Sequence, residues 1–356
     1  MNIEELLRTA VERRASDLHL RAGGPPYMRV DGDLFPVDAP ALPATETERL
    51  AFDLMSDKQA RQFQSTNECD FAFTVPGLSR FRVNVFRQRG SVGLAIRRVL
   101  PGGSSFEALN LPPAVRRLAA ELRGLVLVTG ATGSGKTTTT AAMLHHINMS
   151  RRCHVVTIED PIEILHSDRM AIIDQREVGI DTEDFHSALK YVMRQDPDVI
   201  FIGEMRDVET VRAALAAAET GHLVISTLHT LDATETVNRI IDFFPPHQQQ
   251  QGRLALAGTL KGIVSQRLLP RADGKGRVPA VEVLVANGRI FEMITNSEHT
   301  HLIHDVIAEG DFYGMQTFDQ NLMTLYQEGV VTLQDAMAAA TNAHDFTVAL
   351  RKVGLA

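Results

Sequence analysis

Residues 130–137 read Gly-Ala-Thr-Gly-Ser-Gly-Lys-Thr. Gly130, Gly135, Lys136 and Thr137 fill every fixed position of the spacing G-x-x-x-x-G-K-[ST]. The chemistry this allows is the holding of phosphate. Glycines let successive backbone N–H groups turn inward on an anion, and a helix N-terminus adds positive potential. Ala131, Thr132, Gly133 and Ser134 would line the turn. Lys136 would reach the terminal phosphates of a nucleotide, the Thr137 hydroxyl would ligate Mg²⁺, and Thr138 would follow in the first helical turn. The flanks suit the motif, because the apolar run 124–129 reads as a buried strand and 138–148 reads as a helix.

Hydrolysis needs carboxylates beside the last phosphate, and two strands offer them. Residues 155–163 run Val-Val-Thr-Ile-Glu-Asp-Pro-Ile-Glu, an apolar strand ending in acids. Pro161 stops the strand, so Glu159, Asp160 and Glu163 gather at its carboxyl end, where ligands sit in open α/β sheets. One acid can hold Mg²⁺ through water and another can orient or deprotonate the attacking water. Residues 198–204, Asp-Val-Ile-Phe-Ile-Gly-Glu, form a second such strand, with Glu204 displaced by one glycine from the apolar run. His222 follows Gly221 near a helix end, and His229 ends the apolar run that begins at Leu223. Each is either a structural histidine or a hydrogen-bonding sensor of the phosphates. Arg80, Arg82 and Arg97 lie far upstream on alternating strands, where they are either a solvated face or arginines that reach a nucleotide from another domain or subunit.

The elements that must position these groups fall into two blocks. Residues 1–99 read as a small α+β domain: a helix over 3–14, strands at 18–20, 26–30 and 34–37 with an Asp31-Gly32 turn, helices at 45–53 and 57–64, and strands at 69–75, 80–88 and 91–99. Residues 100–113, with paired Gly, Ser and Pro, read as a linker. From 114 to 356 strands and helices alternate as in an α/β nucleotide-binding domain. Core strands are expected at 125–129, 155–159, 199–202 and 223–227. Helices are expected at 114–122, 137–148, 182–193, 207–219 and 233–243. Beyond 246 the pattern is mostly helical, broken by a hairpin over 270–285 that turns at Asp273-Gly274, with a helical C-terminal region from about 286. Helices at 318–326 and 332–342 carry an apolar stripe that either packs on the core or docks a partner.

Composition narrows the classes. A net charge of -8 gives no basic field to attract a phosphate backbone, so no nucleic-acid partner is expected. Two cysteines, Cys69 and Cys153, exclude a four-cysteine zinc module and suit a reducing compartment. No apolar stretch is long enough to span a bilayer and the N-terminus has no signal-peptide core, so a cytoplasmic protein without direct membrane insertion is expected.

In combination these motifs resemble a family. The acid-rich Glu159-Asp160-Pro161-Ile162-Glu163, the stretch from Met193 to Asp207 and the run from Gly221 to Thr230 resemble the Asp box, Walker B region and His box of type II/IV secretion ATPases. Ala15-Ser16-Asp17-Leu18-His19, Gln175-Arg176-Glu177-Val178-Gly179 and the run from Gly314 to Asp319 are similar to the PilT and PilU retraction ATPases of type IV pili. The resemblance covers essentially the whole chain. It implies an N-terminal PAS-like domain joined to a RecA-like ATPase domain, a homo-hexamer with ATP and Mg²⁺ between subunits, and a motor that withdraws a pilus by N-domain rotation. It implies an inner-membrane platform protein as partner at the cytoplasmic face, with a paralogous retraction ATPase as a further one. By resemblance Glu163 is the catalytic glutamate and Glu204 the Walker B acid on Mg²⁺, with the general base left open between them. Glu159, Asp160, His222 and His229 are box residues at the nucleotide, and Arg82 and Arg97 are the N-domain arginines near the phosphates. One departure stands out. PilT-type proteins carry Ala-Ile-Arg-Asn soon after a strand like 281–285, and the region 294–301, Ile-Thr-Asn-Ser-Glu-His-Thr-His, has no such run. That departure admits an accessory, PilU-like role. Two other readings, a nucleotide-binding regulator and a nucleic-acid translocase, are disfavoured by the intact acids and by the net charge.

Overall fold

The computed structural model describes residues 2–30 and 32–352. The chain forms two compact units. One takes the residues through Pro101 together with Glu163–Leu165, and the other takes Gly102–Ile162 and the chain from His166 onward.

The first unit opens with α1 (Ile3–Glu12). The Asn2 side chain accepts from Glu4 N, Glu4 and Glu5 lie in the first turn where the helix dipole favours acids, and Ile3, Leu6, Leu7 and Ala10 form the buried stripe. Then come β1 (Asp17–Arg21), β2 (Tyr27–Val30), β3 (Asp33–Pro36), α2 (Ala44–Leu54), α3 (Asp57–Thr66), β4 (Glu68–Val75), β5 (Ser79–Gln88) and β6 (Ser91–Pro101). The six strands lie in the order β3-β2-β1-β6-β5-β4, with every neighbour antiparallel. Val30 faces Asp33 across the β2–β3 pair, which fits the expected tight turn, although Asp31 itself lies outside the described residues. Phe81, Val83 and Val85 of β5 point into the core, so the period of 2 leaves Arg82 exposed.

The second unit contains α4 (Pro113–Ala119), β7 (Gly124–Thr129), α5 (Lys136–Ser150) and β8 (His154–Glu159). The two-residue strand β9 (Ile164–Leu165) pairs with β6 and therefore clusters with the first unit. The chain returns as β10 (Ile172–Glu177), α6 (Phe185–Val192), β11 (Val199–Ile202), α7 (Val208–Glu219), β12 (Leu223–Leu228), α8 (Ala233–Asp242), α9 (Gln249–Thr259), β13 (Leu260–Pro270) and β14 (Arg277–Val285). Five helices follow: α10 (Gly288–Thr295), α11 (Ile303–Ala308), α12 (Phe318–Gln327), α13 (Leu333–Ala339) and α14 (Ala343–Lys352). The sheet order is β10-β8-β11-β12-β7-β13-β14, parallel except for β14.

Helices cover both faces, so the central strands are buried on both sides. Leu125 and Leu127 of β7 enter one core cluster with α7 and α8, while Val126 and Val128 enter the other with α4 and α5. The expected α/β architecture is present. Two strands differ from expectation. Residues 260–270 lie in the region read as helical, yet they form β13, because a strand buried on both faces loses the polar alternation that marks one. Gly262 allows this close packing, since a Cβ there would stand 2.6 Å from Leu118 and 2.7 Å from Leu284 O. The strand β10 carries Asp174, Gln175, Arg176 and Glu177, too polar a run to read as core.

At the C-terminal end, Phe318, Leu322 and Leu325 of α12 are buried against Leu269, Val278 and Ala280, so that stripe packs on the core. Each such side chain contributes about 1.5–3 kcal/mol on burial. Directly after β14 the chain enters α10, capped by Asn287 Oδ1 accepting from Ile290 N at 3.0 Å. Ile294 and Thr295 close α10, and the rest of the stretch 294–301 follows that helix.

Candidate nucleotide site

Parallel strands end at a common edge, and here the four that carry the chemistry are neighbours: β8, β11, β12 and β7. The loop after β7 is shaped by glycines with positive φ, 140° at Gly130, 79° at Gly133 and 95° at Gly135. At Gly130 a Cβ would stand 2.5 Å from Gln266 O and 2.6 Å from Ser134 Oγ, so only glycine fits. Ser134 Oγ is buried with no hydrogen-bond partner among the described residues. Helix α5 begins at Lys136, with its first amides directed at the loop. A cradle of glycine amides, an orphaned hydroxyl and a lysine fits a phosphate chain. Thr137 is exposed in the first turn of α5.

The lysine ammonium donates to Gly130 O at 2.7 Å and Ala131 O at 3.0 Å. It also stands 3.4 Å from His229 Nδ1. An ammonium can only donate, so Nδ1 accepts and the ring proton sits on Nε2. That Nε2 lies 3.2 Å from Glu204 Oε1. The second oxygen of Glu204 takes Arg206 Nε at 2.9 Å, and Arg206 Nη1 stands 3.8 Å from Asp160 Oδ2. One polar chain, Lys136–His229–Glu204–Arg206–Asp160, thus runs along the sheet edge from the phosphate loop to the acids after β8. Gly203 makes the approach of β11 to β8 tight, with its N donating to Ile158 O at 2.8 Å and the space at its Cα closing on Glu159.

Glu159 is buried and accepts from Thr157 Oγ1 at 2.6 Å and from Gln175 Nε2 at 3.0 Å. Glu163 falls in the segment that clusters with the first unit, where it is exposed and its side chain makes no hydrogen bond or ion pair among the described residues.

His222 differs from the sequence expectation. Gly221, with φ of 109°, turns the chain out of α7 before β12 begins, so His222 precedes the strand that His229 follows. Six strand residues, roughly 20 Å at strand rise, separate the two. His222 Nδ1 lies 3.0 Å from Ala217 O and 3.3 Å from Thr220 Oγ1, where it closes the C-terminal end of α7. It stands apart from the phosphate loop.

In the first unit Arg82 and Arg97 face each other across β5 and β6. Arg97 Nε donates to Asp17 Oδ1 at 2.8 Å. Partial burial raises the Asp17 carboxyl, but hydrogen bonds from Arg97 and Ser16 outweigh it and hold its pKa below the ordinary value.

Arg206, Gln175 and Glu177 were missed as site residues. Arg206 had a signal in its spacing of two from Glu204, which sets both on one side of an extended turn. Glu282 of β14 was also missed. It is buried, accepts from Ala233 N at 2.9 Å at the start of α8, and burial pushes its pKa up to about 7.

Comparison with known proteins fits this geometry. The family model for type II/IV secretion system proteins matches residues 1–343. The chain belongs to that family. It is 43% identical over 351 residues to the type IV pilus ATPase PilU of Pseudomonas aeruginosa, covering 99% of this chain and 92% of the relative. It is 42% identical over 346 residues to the type IV pilus retractation ATPase PilT of the same organism, covering 97% and 100%. A crystal structure of the pilus retraction motor PilT with bound ADP superposes with a TM-score of 0.88 at 46% identity, covering 97% of this chain and 98% of that one.

Proposed function

We propose that this chain is an ATP-hydrolysing motor of type IV pilus retraction. The observation that carries this reading is the unbroken polar chain from Lys136 to Asp160 along the edge where the phosphate loop opens. ATP binds with its phosphates in the loop 130–137. The Thr137 hydroxyl and the Glu204 carboxylate are the groups that would hold a divalent cation, in part through water. Among the described residues no group of three His, Cys, Asp or Glu is placed to hold a metal ion, and the phosphates of a bound nucleotide would offer it further oxygen ligands. When bound, the cation neutralises charge on the phosphates.

Binding draws Lys136 from the carbonyls of Gly130 and Ala131 onto phosphate, and His229 follows the move because it spans Lys136 and Glu204. Glu204, already accepting from Arg206, is a poor proton acceptor. Glu163, with no partner of its own, is the better general base for the attacking water. Arg82 and Arg97 neutralise charge on the transferring phosphoryl group in an assembled ring of identical subunits. The motor acts in the cytoplasm on an inner-membrane platform protein, and a paralogous ATPase is the further partner that an accessory role would require.

Phosphate release by the purified chain tests the enzyme, with Lys136→Ala expected to release none. Deletion of the gene tests the role. More surface pili with lost surface motility would mean that retraction is its own work. Unchanged pili with weakened motility would assign the accessory role, which the near-equal identities to PilU and PilT, 43% and 42%, keep open.

A further inference from the structure

The segment that carries Glu163 is short, and β10 holds the chain on both sides of it. On the near side Ile162 N donates to Glu177 Oε2 at 3.1 Å, and both groups are buried. On the far side His166 N donates to Gln175 Oε1 at 2.8 Å. The other end of the Gln175 amide donates to Glu159 Oε1 at 3.0 Å. The amide can sit only one way round, because a flip would set NH₂ against a backbone N–H and oxygen against a carboxylate. Gln175 and Glu177 are two apart on one strand and so share a face. Glu177 lies beside Glu159 in the parallel register, and Gln175 lies beside Thr157, whose hydroxyl also donates to Glu159. Strand β10 is itself secured at this end by Val178 N donating to Glu159 O at 2.8 Å and by Glu177 N donating to Asp181 Oδ2 at 2.8 Å.

We infer that Gln175 and Glu177 are positioning residues for Glu163, clamping Ile162 and His166 so that the carboxylate between them is presented at a fixed place. The inference rests on the reading of Glu163 as general base. Neither residue touches nucleotide in this scheme, so their loss slows chemistry and leaves binding intact. The side chain of a base displaced by an ångström loses most of its benefit, on the order of 10²-fold.

The test measures kcat, KM and the affinity for a fluorescent ADP in the full chain for Gln175→Met, Glu177→Leu and Glu177→Gln, with Glu163→Gln as reference. Gln175→Met and Glu177→Leu are expected to lose at least about 10-fold in kcat, with nucleotide affinity within about twofold of the parent. Glu177→Gln keeps an acceptor oxygen for Ile162 N and is expected to retain most activity. Adding Gln175→Met to Glu163→Gln is expected to cost nothing further, since the clamp acts through that carboxylate. Amide exchange at Ile162 and His166 should quicken in the two clamp variants, a readout that does not depend on turnover. Parent-like kcat in Gln175→Met and Glu177→Leu beside a stalled Glu163→Gln would overturn the clamp and leave the base in place. Parent-like kcat in Glu163→Gln itself would remove the base, and the clamp with it. A parallel fall in nucleotide affinity would also overturn it.

Discussion

His222 and His229 bracket the same strand, in one eight-residue stretch of sequence, and have different partners. His229 leaves β12 at the carboxyl edge and bridges Lys136 to Glu204. His222 enters β12 at the amino edge and closes α7. Neither residue type nor motif membership separates them. What separates them is the direction of a parallel sheet, which sends every strand's carboxyl end to the phosphate loop and every amino end away from it.

The sharpest way to break this contrast is at the loop itself. Lys136→Ala removes the charge on which the polar chain depends, and ATP turnover should fall by roughly 10³-fold or more, read by phosphate release. Next, Glu204→Gln should cost about 10²–10³-fold in kcat through weakened charge complementarity, with nucleotide still bound. His229→Ala opens the link between lysine and acid and should cost about 10-fold or more in kcat. His222→Ala should leave kcat within about twofold and lower stability by about 1 kcal/mol, the loss of one helix-end hydrogen bond, seen as a small fall in Tm.

The smallest effect concerns Glu282, which is not a member of the polar chain from Lys136 to Asp160. Its folded pKa is raised to about 7 by burial. A raised carboxyl contributes stability that is fully present below its ordinary pKa near 4.5 and is lost as pH rises through about 7. Glu282→Gln should therefore flatten the Tm profile between pH 4.5 and 7, while keeping an acceptor for Ala233 N.

Much of this was legible in the residues. The glycine spacing placed the phosphate loop, and the apolar runs before Glu159, Glu204 and His229 placed three strand ends on one edge. Strand β13 was not legible, because burial on both faces erases its period. The grip of β10 was not legible either, since Gln175 and Glu177 look like a polar loop until pairing with β8 turns both toward Ile162 and His166. The position of His222 needed the sheet's direction, which a run of apolar residues does not carry.

One comparison decides most: ATP turnover and nucleotide affinity of His229→Ala and His222→Ala, measured side by side. A clear loss of turnover in His229→Ala with a parent-like His222→Ala would support a catalytic edge built on Lys136, His229 and Glu204. Equal losses in both, or a loss in His222→Ala alone, would contradict it.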